Sequence, residues 1–336
     1  MMKIVPNNER NEIMQQVKLG MVGAGGIATM HSNNLLRIAE ARVTAVCDLD
    51  LNRAETLSKL LGASAYIDIE EMLNKENFDG MLFFTPPSCR VENLMKVIRR
   101  KIPVFIEKPA ADYVDIAEEI ADLIDEYEVI NAIGYMWRSS SCLTKMKQLI
   151  GGRKVGVVHG NTISRVGYGS KYYDKAATGV QIKEQTTHIL NVAQSLVGEA
   201  STISTVGTMG RLMQADWLKT EDVSSMSVLY KNGAVGSFTN CFLYEGDSIF
   251  SLDACGQNFA LTFDMGNNRL SGTVDHIRID YQGPENPYET EMRNFIKAIR
   301  ASDQSYNACP YREGIHALKM TLLAEVALSS GRAESF

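Results

Sequence analysis

The stretch Gly23-Ala24-Gly25-Gly26-Ile27-Ala28 follows an apolar run that starts at Val17 and leads into a segment of helical character. It reads as a dinucleotide-binding turn. The first glycine permits a tight turn, the second lets a pyrophosphate approach the backbone, and the small Ala28 lets the helix pack closely on its strand. Phosphate then meets the unpaired N–H groups of the helix N-terminus. Asp48 stands twenty residues past Ala28, closing a second apolar run through Val43, Ala45, Val46 and Cys47. A carboxylate at that spacing suits a ribose 2′-hydroxyl. It favours NAD over NADP, because a 2′-phosphate would meet Asp48 and nearby Asp50, with Arg53 softening the repulsion.

Outward from this turn, the pattern up to about residue 135 alternates nearly continuous apolar strands with segments of helical period, as a buried parallel sheet requires. Strands end near Gly23, Asp48, Ile67, Thr85, Glu107 and Gly134. Between them Val91, Leu94, Met95 and Ile98 share one helical face, and Ile116, Ile120, Leu123, Ile124 and Tyr127 share another. The polar residues 1–16, with Pro6, read as an N-terminal arm, and 17–136 as a doubly wound α/β domain. Beyond Gly151-Gly152 the texture turns β-rich. Asn232-Gly233 between the runs Val223 to Tyr230 and Val235 to Leu243 signals a hairpin. Further strands are expected around Ser248 to Cys255, Phe259 to Phe263 and Leu270 to Val274. Residues 137–336 therefore read as an α+β, mostly antiparallel domain for substrate and for contact between subunits. Met292, Phe295, Ile296 and Ile299 mark an amphipathic helix, and Ile315 to Leu328 is apolar nearly all round, as expected of a helix buried between domains or subunits.

The 336 residues carry 34 Lys and Arg against 40 Asp and Glu, a net charge of -6, which disfavours nucleic acid or a membrane surface as partner. No apolar run approaches the roughly 20 residues that span a bilayer, and Glu9, Arg10 and Glu12 interrupt the N-terminus, so a cytoplasmic protein is expected. The six cysteines are scattered without a Cys-x-x-Cys pair and read as buried free thiols. Neither a Gly-x-Ser-x-Gly elbow nor the Gly-Lys-Ser/Thr end of a phosphate loop is present.

In an open parallel sheet, ligands bind beyond the carboxyl ends of the strands. Thr85-Pro86-Pro87 ends the fourth strand and Glu107-Lys108-Pro109 the fifth. Proline restrains Lys108 to an extended backbone, which aims its side chain off the sheet, although position alone equally fits a surface turn lysine. In Glu184-Gln185-Thr186-Thr187-His188, Glu184 and His188 stand one helical turn apart. A carboxylate beside an imidazole orients the ring and raises its pKa, giving an acid–base pair, and spacing alone also fits a solvated helix pair. No further His or carboxylate supports a metal there, so none is expected. His31, His159, His276 and His316 read as core or surface residues. Arg138 after the sixth strand, with Arg165, Tyr168, Lys171, Tyr172, Tyr173 and Lys175, mixes basic and aromatic groups suited to a sugar-like substrate, and equally to an exposed loop.

Together the glycine turn, Asp48, Thr85-Pro86, Glu107-Lys108-Pro109 and the Glu184 to His188 segment resemble the Gfo/Idh/MocA oxidoreductase family, which includes glucose-fructose oxidoreductase and inositol dehydrogenases. The resemblance implies an N-terminal Rossmann domain for NAD and a C-terminal domain with an open-faced sheet that mediates assembly into a homodimer or homotetramer. It implies cofactor contacts at Gly23, Gly25, Gly26, Ile27, Ala28, Asp48, Arg53, Thr85, Pro86, Glu107 and Lys108. Lys108 becomes the active-site lysine and His188 the acid–base residue, and Glu184 takes the place of an aspartate partner. Arg138, Arg165, Tyr168 and Gln185 become candidate substrate contacts. The implied reaction is hydride transfer between nicotinamide and a carbinol carbon of a polyol, inositol or sugar-like substrate. An NAD-dependent redox-cycling glycosidase and a non-catalytic NAD or sugar sensor are the other readings. The chain departs from the family at Arg90, where a histidine is usual after Thr-Pro, at Val180 in place of a glycine, and at Asn191 in place of an aspartate.

Overall fold

The structure, a computed structural model, describes residues 16–165, 174 and 181–336. The expected arm up to residue 15, Tyr168 and the aromatic and basic residues around it, and Val180 lie outside the described residues. Six parallel strands, β1 (Val17–Val22), β2 (Ala41–Cys47), β3 (Ser64–Tyr66), β4 (Gly80–Phe83), β5 (Val104–Ile106) and β6 (Asn131–Ile133), lie in the order β3-β2-β1-β4-β5-β6. The order reverses between β1 and β4, the crevice where this kind of sheet binds ligands. Helices α1 (Gly26–Leu35), α2 (Leu51–Leu61), α3 (Ile69–Lys75), α4 (Pro87–Arg99) and α5 (Val114–Tyr127) return the chain between strands. Every residue of β4, β5 and β6 is buried, as expected where helices cover both faces. Local chemistry sets several helix starts: Asp50 accepts the N–H groups of Asn52 and Arg53 to open α2, and Asp68 accepts that of Glu71 to open α3.

A short 3₁₀ turn, Met136–Ser139, and helix α6 (Ser141–Ile150) lead into the second sheet. Its nine strands are β7 (Val155–Ile163), β8 (Ala200–Thr208), β9 (Val223–Tyr230), β10 (Val235–Cys241), β11 (Ile249–Gly256), β12 (Phe259–Asp264), β13 (Arg269–Val274), β14 (Ile277–Gln282) and β15 (Glu334–Ser335). They run in the order β14-β13-β12-β11-β7-β10-β9-β8-β15, antiparallel except for β7 beside β10. The expected hairpin is a three-residue loop: Gly233, at φ +87°, donates to Tyr230, and Tyr230 in turn donates to Ala234. Helix α7 (Thr187–Val197) packs on β7 and β11, and α6 packs on β12 and β13. The opposite face is open, and along it Val157 pairs with Val235 and Val235 with Leu229, all three about half exposed.

Two long helices close the chain, α8 (Pro287–Ala301) and α9 (Tyr311–Ser330). From α8, Met292, Phe295 and Ile296 enter the core formed by Leu19, Met21 and Phe105, so this helix covers one face of the first sheet. The first half of α9 places Tyr311, Ile315 and Leu318 in the core on the other face, and its second half places Met320 and Ala324 in the core of the second sheet. Three of the six cysteines (47, 142 and 309) are buried as expected. Cys89 and Cys255 are exposed, because one sits in the first turn of α4 and the other on the open face of β11. Among the described residues no helix is long and apolar enough to cross a membrane.

Candidate active site

The glycine turn joins β1 to α1 at the carboxyl edge of the first sheet. Gly23 has φ +97°, and a Cβ there would lie 2.9 Å from the backbone of Phe84, so no other residue fits. At Gly25 and Gly26 a Cβ would meet nothing within 4 Å, so the space over the turn is open on that side. Ala28 is fully buried against the sheet. No side chain caps α1 and no acidic residue occupies its first turn, which leaves its N-terminal N–H groups for an anion. Asp48 braces the turn from β2: Oδ2 accepts the Ala24 N–H at 2.7 Å and Oδ1 that of Asp50 at 2.9 Å. Arg53 pairs with Asp50 at 3.3 Å on the surface. These residues fit an adenine dinucleotide, with a positive-φ turn, an uncapped helix start and a carboxylate fixed at the next strand.

Thr85 and Pro86 follow β4, and there Arg90 turns inward. It is 1% exposed, donates from Nη1 to Thr85 O at 3.1 Å and from Nη2 to Pro109 O, and so ties the end of β4 to the turn after β5. The Lys108-Pro109 bond is cis. Lys108 Nζ donates to Glu184 Oε1 at 2.9 Å and to the Glu184 carbonyl at 2.8 Å, joining the first sheet to the segment that enters α7. His188 lies in the first turn of α7, 8% exposed, with its ring edge-on to Tyr135 at 5.6 Å and Trp137 at 5.5 Å. Tyr135 hydrogen-bonds Thr187 at 3.0 Å, and His188 Nδ1 is buried with no partner among the described residues.

Residues 17–135 match the profile of the "Oxidoreductase family, NAD-binding Rossmann fold". Over those residues the chain resembles the Gfo/Idh/MocA oxidoreductases. It is 26% identical over 144 residues to an inositol 2-dehydrogenase of Rubrobacter xylanophilus, covering 42% of each protein. That match spans about two-fifths of the relative's length. With the myo-inositol 2-dehydrogenase of Thermotoga maritima it shares 24% identity over 334 residues, 94% of this chain and 97% of that protein. Among solved structures, an oxidoreductase from Agrobacterium radiobacter in complex with NAD+, L-tartaric acid and magnesium superposes with a TM-score of 0.84 at 15% identity, over 96% of this chain and 98% of that one. At that identity the superposition shows a shared fold.

The Glu184–His188 pair expected from spacing needs correction. Residues Ile182–Thr186 form a π-helical turn, and the chain continues as α-helix from Thr187. The wider turn breaks the four-residue stacking. Glu184 engages Lys108 instead, and burial first, then the Lys108 charge, hold the His188 pKa well below 6.5 rather than above it. Glu107 also turns inward, to His31 and to the Lys108 backbone, rather than outward toward a cofactor. Gln185 lies half-buried in the π turn. Arg138 is held by Asn191 Oδ1 at 3.4 Å and Glu313 at 3.5 Å, one turn along α7 from His188. Arg165 sits 3.9 Å from Glu245 on the surface. The aromatic walls Tyr135 and Trp137 were not singled out from the sequence. Their signal was available, since both directly follow the carboxyl end of β6.

Proposed function

We propose that the protein is an NAD-dependent dehydrogenase or reductase acting on a secondary alcohol of a polyol, inositol or sugar-like substrate. The observation that carries this reading is the convergence of Lys108, paired with Glu184, and His188, eighty positions apart in sequence and close enough that the Lys108 charge acts on the imidazole. A bound nicotinamide supplies the two-electron acceptor for the hydride of the carbinol carbon. With Nδ1 buried, Nε2 is the His188 ring atom left to meet a substrate hydroxyl. The depressed pKa keeps the imidazole neutral at pH 7, so it can take that proton as a base. Lys108, held by Glu184, offers an ammonium to the oxygen as negative charge develops on it. Tyr135 and Trp137 fix the ring plane of His188.

On this reading residues 17–136 hold the dinucleotide and 137–336 the substrate, and the apolar stripe Val157, Val235 and Leu229 pairs copies of the chain into a homodimer or homotetramer. The test is NADH formation by the purified protein with NAD, or NADP, and a panel of inositols, sugars and sugar acids. Turnover with one alcohol class, abolished in Lys108→Ala and His188→Ala while NAD still binds, supports the assignment. NAD binding with no NADH from any alcohol, but cleavage of an aryl glycoside, would replace it with the redox-cycling glycosidase. Binding with neither activity would replace it with a sensor.

A further inference from the structure

Beneath the carboxyl edge of the first sheet, three titratable side chains from three elements meet out of contact with solvent. They are His31 of α1, Glu107 after β5 and Glu291 of α8, which are 0%, 7% and 6% exposed. His31 Nε2 lies 2.9 Å from Glu107 Oε1 and 4.0 Å from Glu291 Oε1. Its ring stacks on Phe84 at 4.7 Å with an interplanar angle of 12°, and Phe105 and Tyr288 meet it edge-on. The second oxygen of Glu107, Oε2, accepts the backbone N–H of Lys108 at 3.2 Å. A Cβ at Gly134 would come within 2.8 Å of Glu107 Oε1, so the glycine just past β6 leaves the room in which this carboxylate sits. Glu291 Oε1 has no hydrogen-bond partner among the described residues.

Two carboxylates sharing one imidazole in a dry pocket cannot both stay ionised. Burial, and then the charge of Glu107, push the Glu291 pKa well above its ordinary value. The groups that face this cluster are Tyr288 from its own helix, His31 from α1, Glu107 from the β5 turn, Arg90 from α4 and Cys309 from the segment before α9.

Resting on the catalytic reading of Lys108, we infer that His31 is a positioning residue: through Glu107 it fixes the backbone from which Lys108 reaches Glu184. The chain of contacts runs from His31 through Glu107 to the Lys108 N–H. It begins on the helix that opens at the glycine turn. A divalent cation held by the same three side chains, whose ligand atoms lie within 4.8 Å of one another, is the competing arrangement.

The test uses the full-length protein and a reporter that needs no substrate. The charge of Lys108 lowers the His188 titration, so the His188 midpoint, read by ¹⁵N NMR, reports where Lys108 stands. Lys108→Ala is expected to raise that midpoint, and His31→Phe, which keeps the stack on Phe84 but removes the bond to Glu107, to raise it in the same direction. In His31→Phe NAD affinity should change by less than about threefold, since His31 is fully buried. His31→Gln, which restores an N–H toward Glu107, should return the midpoint toward its native value. Glu291→Gln, an uncharged isostere, should leave it unmoved. A native midpoint in His31→Phe overturns the inference, as does a shift in Glu291→Gln equal to that of His31→Phe. Stoichiometric divalent metal in the native protein that Glu291→Gln loses overturns it in favour of the cation. Should His31→Phe fail to fold, Glu107→Gln, which weakens the acceptor for the Lys108 N–H, carries the same expectation. The outcomes separate from the functional reading: absence of NADH turnover refutes that reading alone, whereas an unmoved His188 in a turning-over enzyme refutes positioning alone.

Discussion

Replacing Arg90 with methionine keeps a long, unbranched side chain in the same cavity and removes only the guanidinium. That group is fully enclosed, and burial pushes its pKa down to about 10, which still leaves it protonated at pH 7. Its loss strands the carbonyls of Thr85 and Pro109, at about 1–3 kcal/mol each. Against this stands relief from burying a charge whose Nε has no partner, which offsets part of the loss. A net destabilisation of about 2–4 kcal/mol is expected, appearing as a lower urea midpoint with an unchanged m-value. Both freed carbonyls belong to turns at the site, so the variant that still folds should also bind NAD more weakly. Arg90→Lys should recover little, because one ammonium cannot reach two carbonyls in the geometry of a planar fork. A midpoint for Arg90→Met within about 0.5 kcal/mol of native would show that the guanidinium ties nothing together.

At Gly25 the protein leaves room for a side chain, so Gly25→Val should keep the native urea midpoint to within about 1 kcal/mol while abolishing NAD binding; equal affinity in the two proteins would move the dinucleotide away from this turn. The acidic limb of kcat/KM should lie below pH 6.5, because burial and Lys108 both disfavour the imidazolium of His188, and a limb above that value would contradict the proposed base. For Glu291 the folded pKa is raised, so the native state binds the extra proton and stability falls as pH rises from about 4.5. Glu291→Gln should flatten that slope in urea titrations at several pH values, and an unchanged slope would mean that Glu291 is not the group responsible. Phe295→Ala, at a fully buried position between α8 and the first sheet, should cost about 3–5 kcal/mol, measurable by the same denaturation.

Local patterns carried the architecture a long way. The glycine turn, the strand ends from Gly23 to Gly134 and the hairpin at Asn232-Gly233 all stand where periodicity and turn chemistry put them, because each is decided by neighbours a few residues away. Lys108 and His188 could be named as candidates for the same reason: one follows a strand end and the other opens a helix. Their relation to each other could not. A four-residue spacing implies stacking only if the helix keeps its pitch; here a π turn interrupts it, and Glu184 bonds Lys108 instead. Arg90 was visible as a departure from the family pattern, yet its inward turn depends on Pro109, nineteen positions on. His31 looked like an ordinary core residue because Glu107 and Glu291 lie 76 and 260 positions away in sequence.

The helices Pro287–Ala301 and Tyr311–Ser330 bear on how the chain is made as well as on how it stands. A ribosome delivers them after strands β1 to β14, yet one forms the lid of a core face in the first sheet and the other is shared between both cores. The usual order of synthesis, in which an N-terminal unit folds and is finished before the next emerges, is therefore closed to this protein. Strands β1 to β6 leave the ribosome with the apolar face around Leu19 and Phe105 bare, and it stays bare until Met292 and Phe295 arrive. For the time taken to translate roughly 150 residues between them, that face is the kind of exposed apolar surface that makes a folding intermediate prone to aggregate.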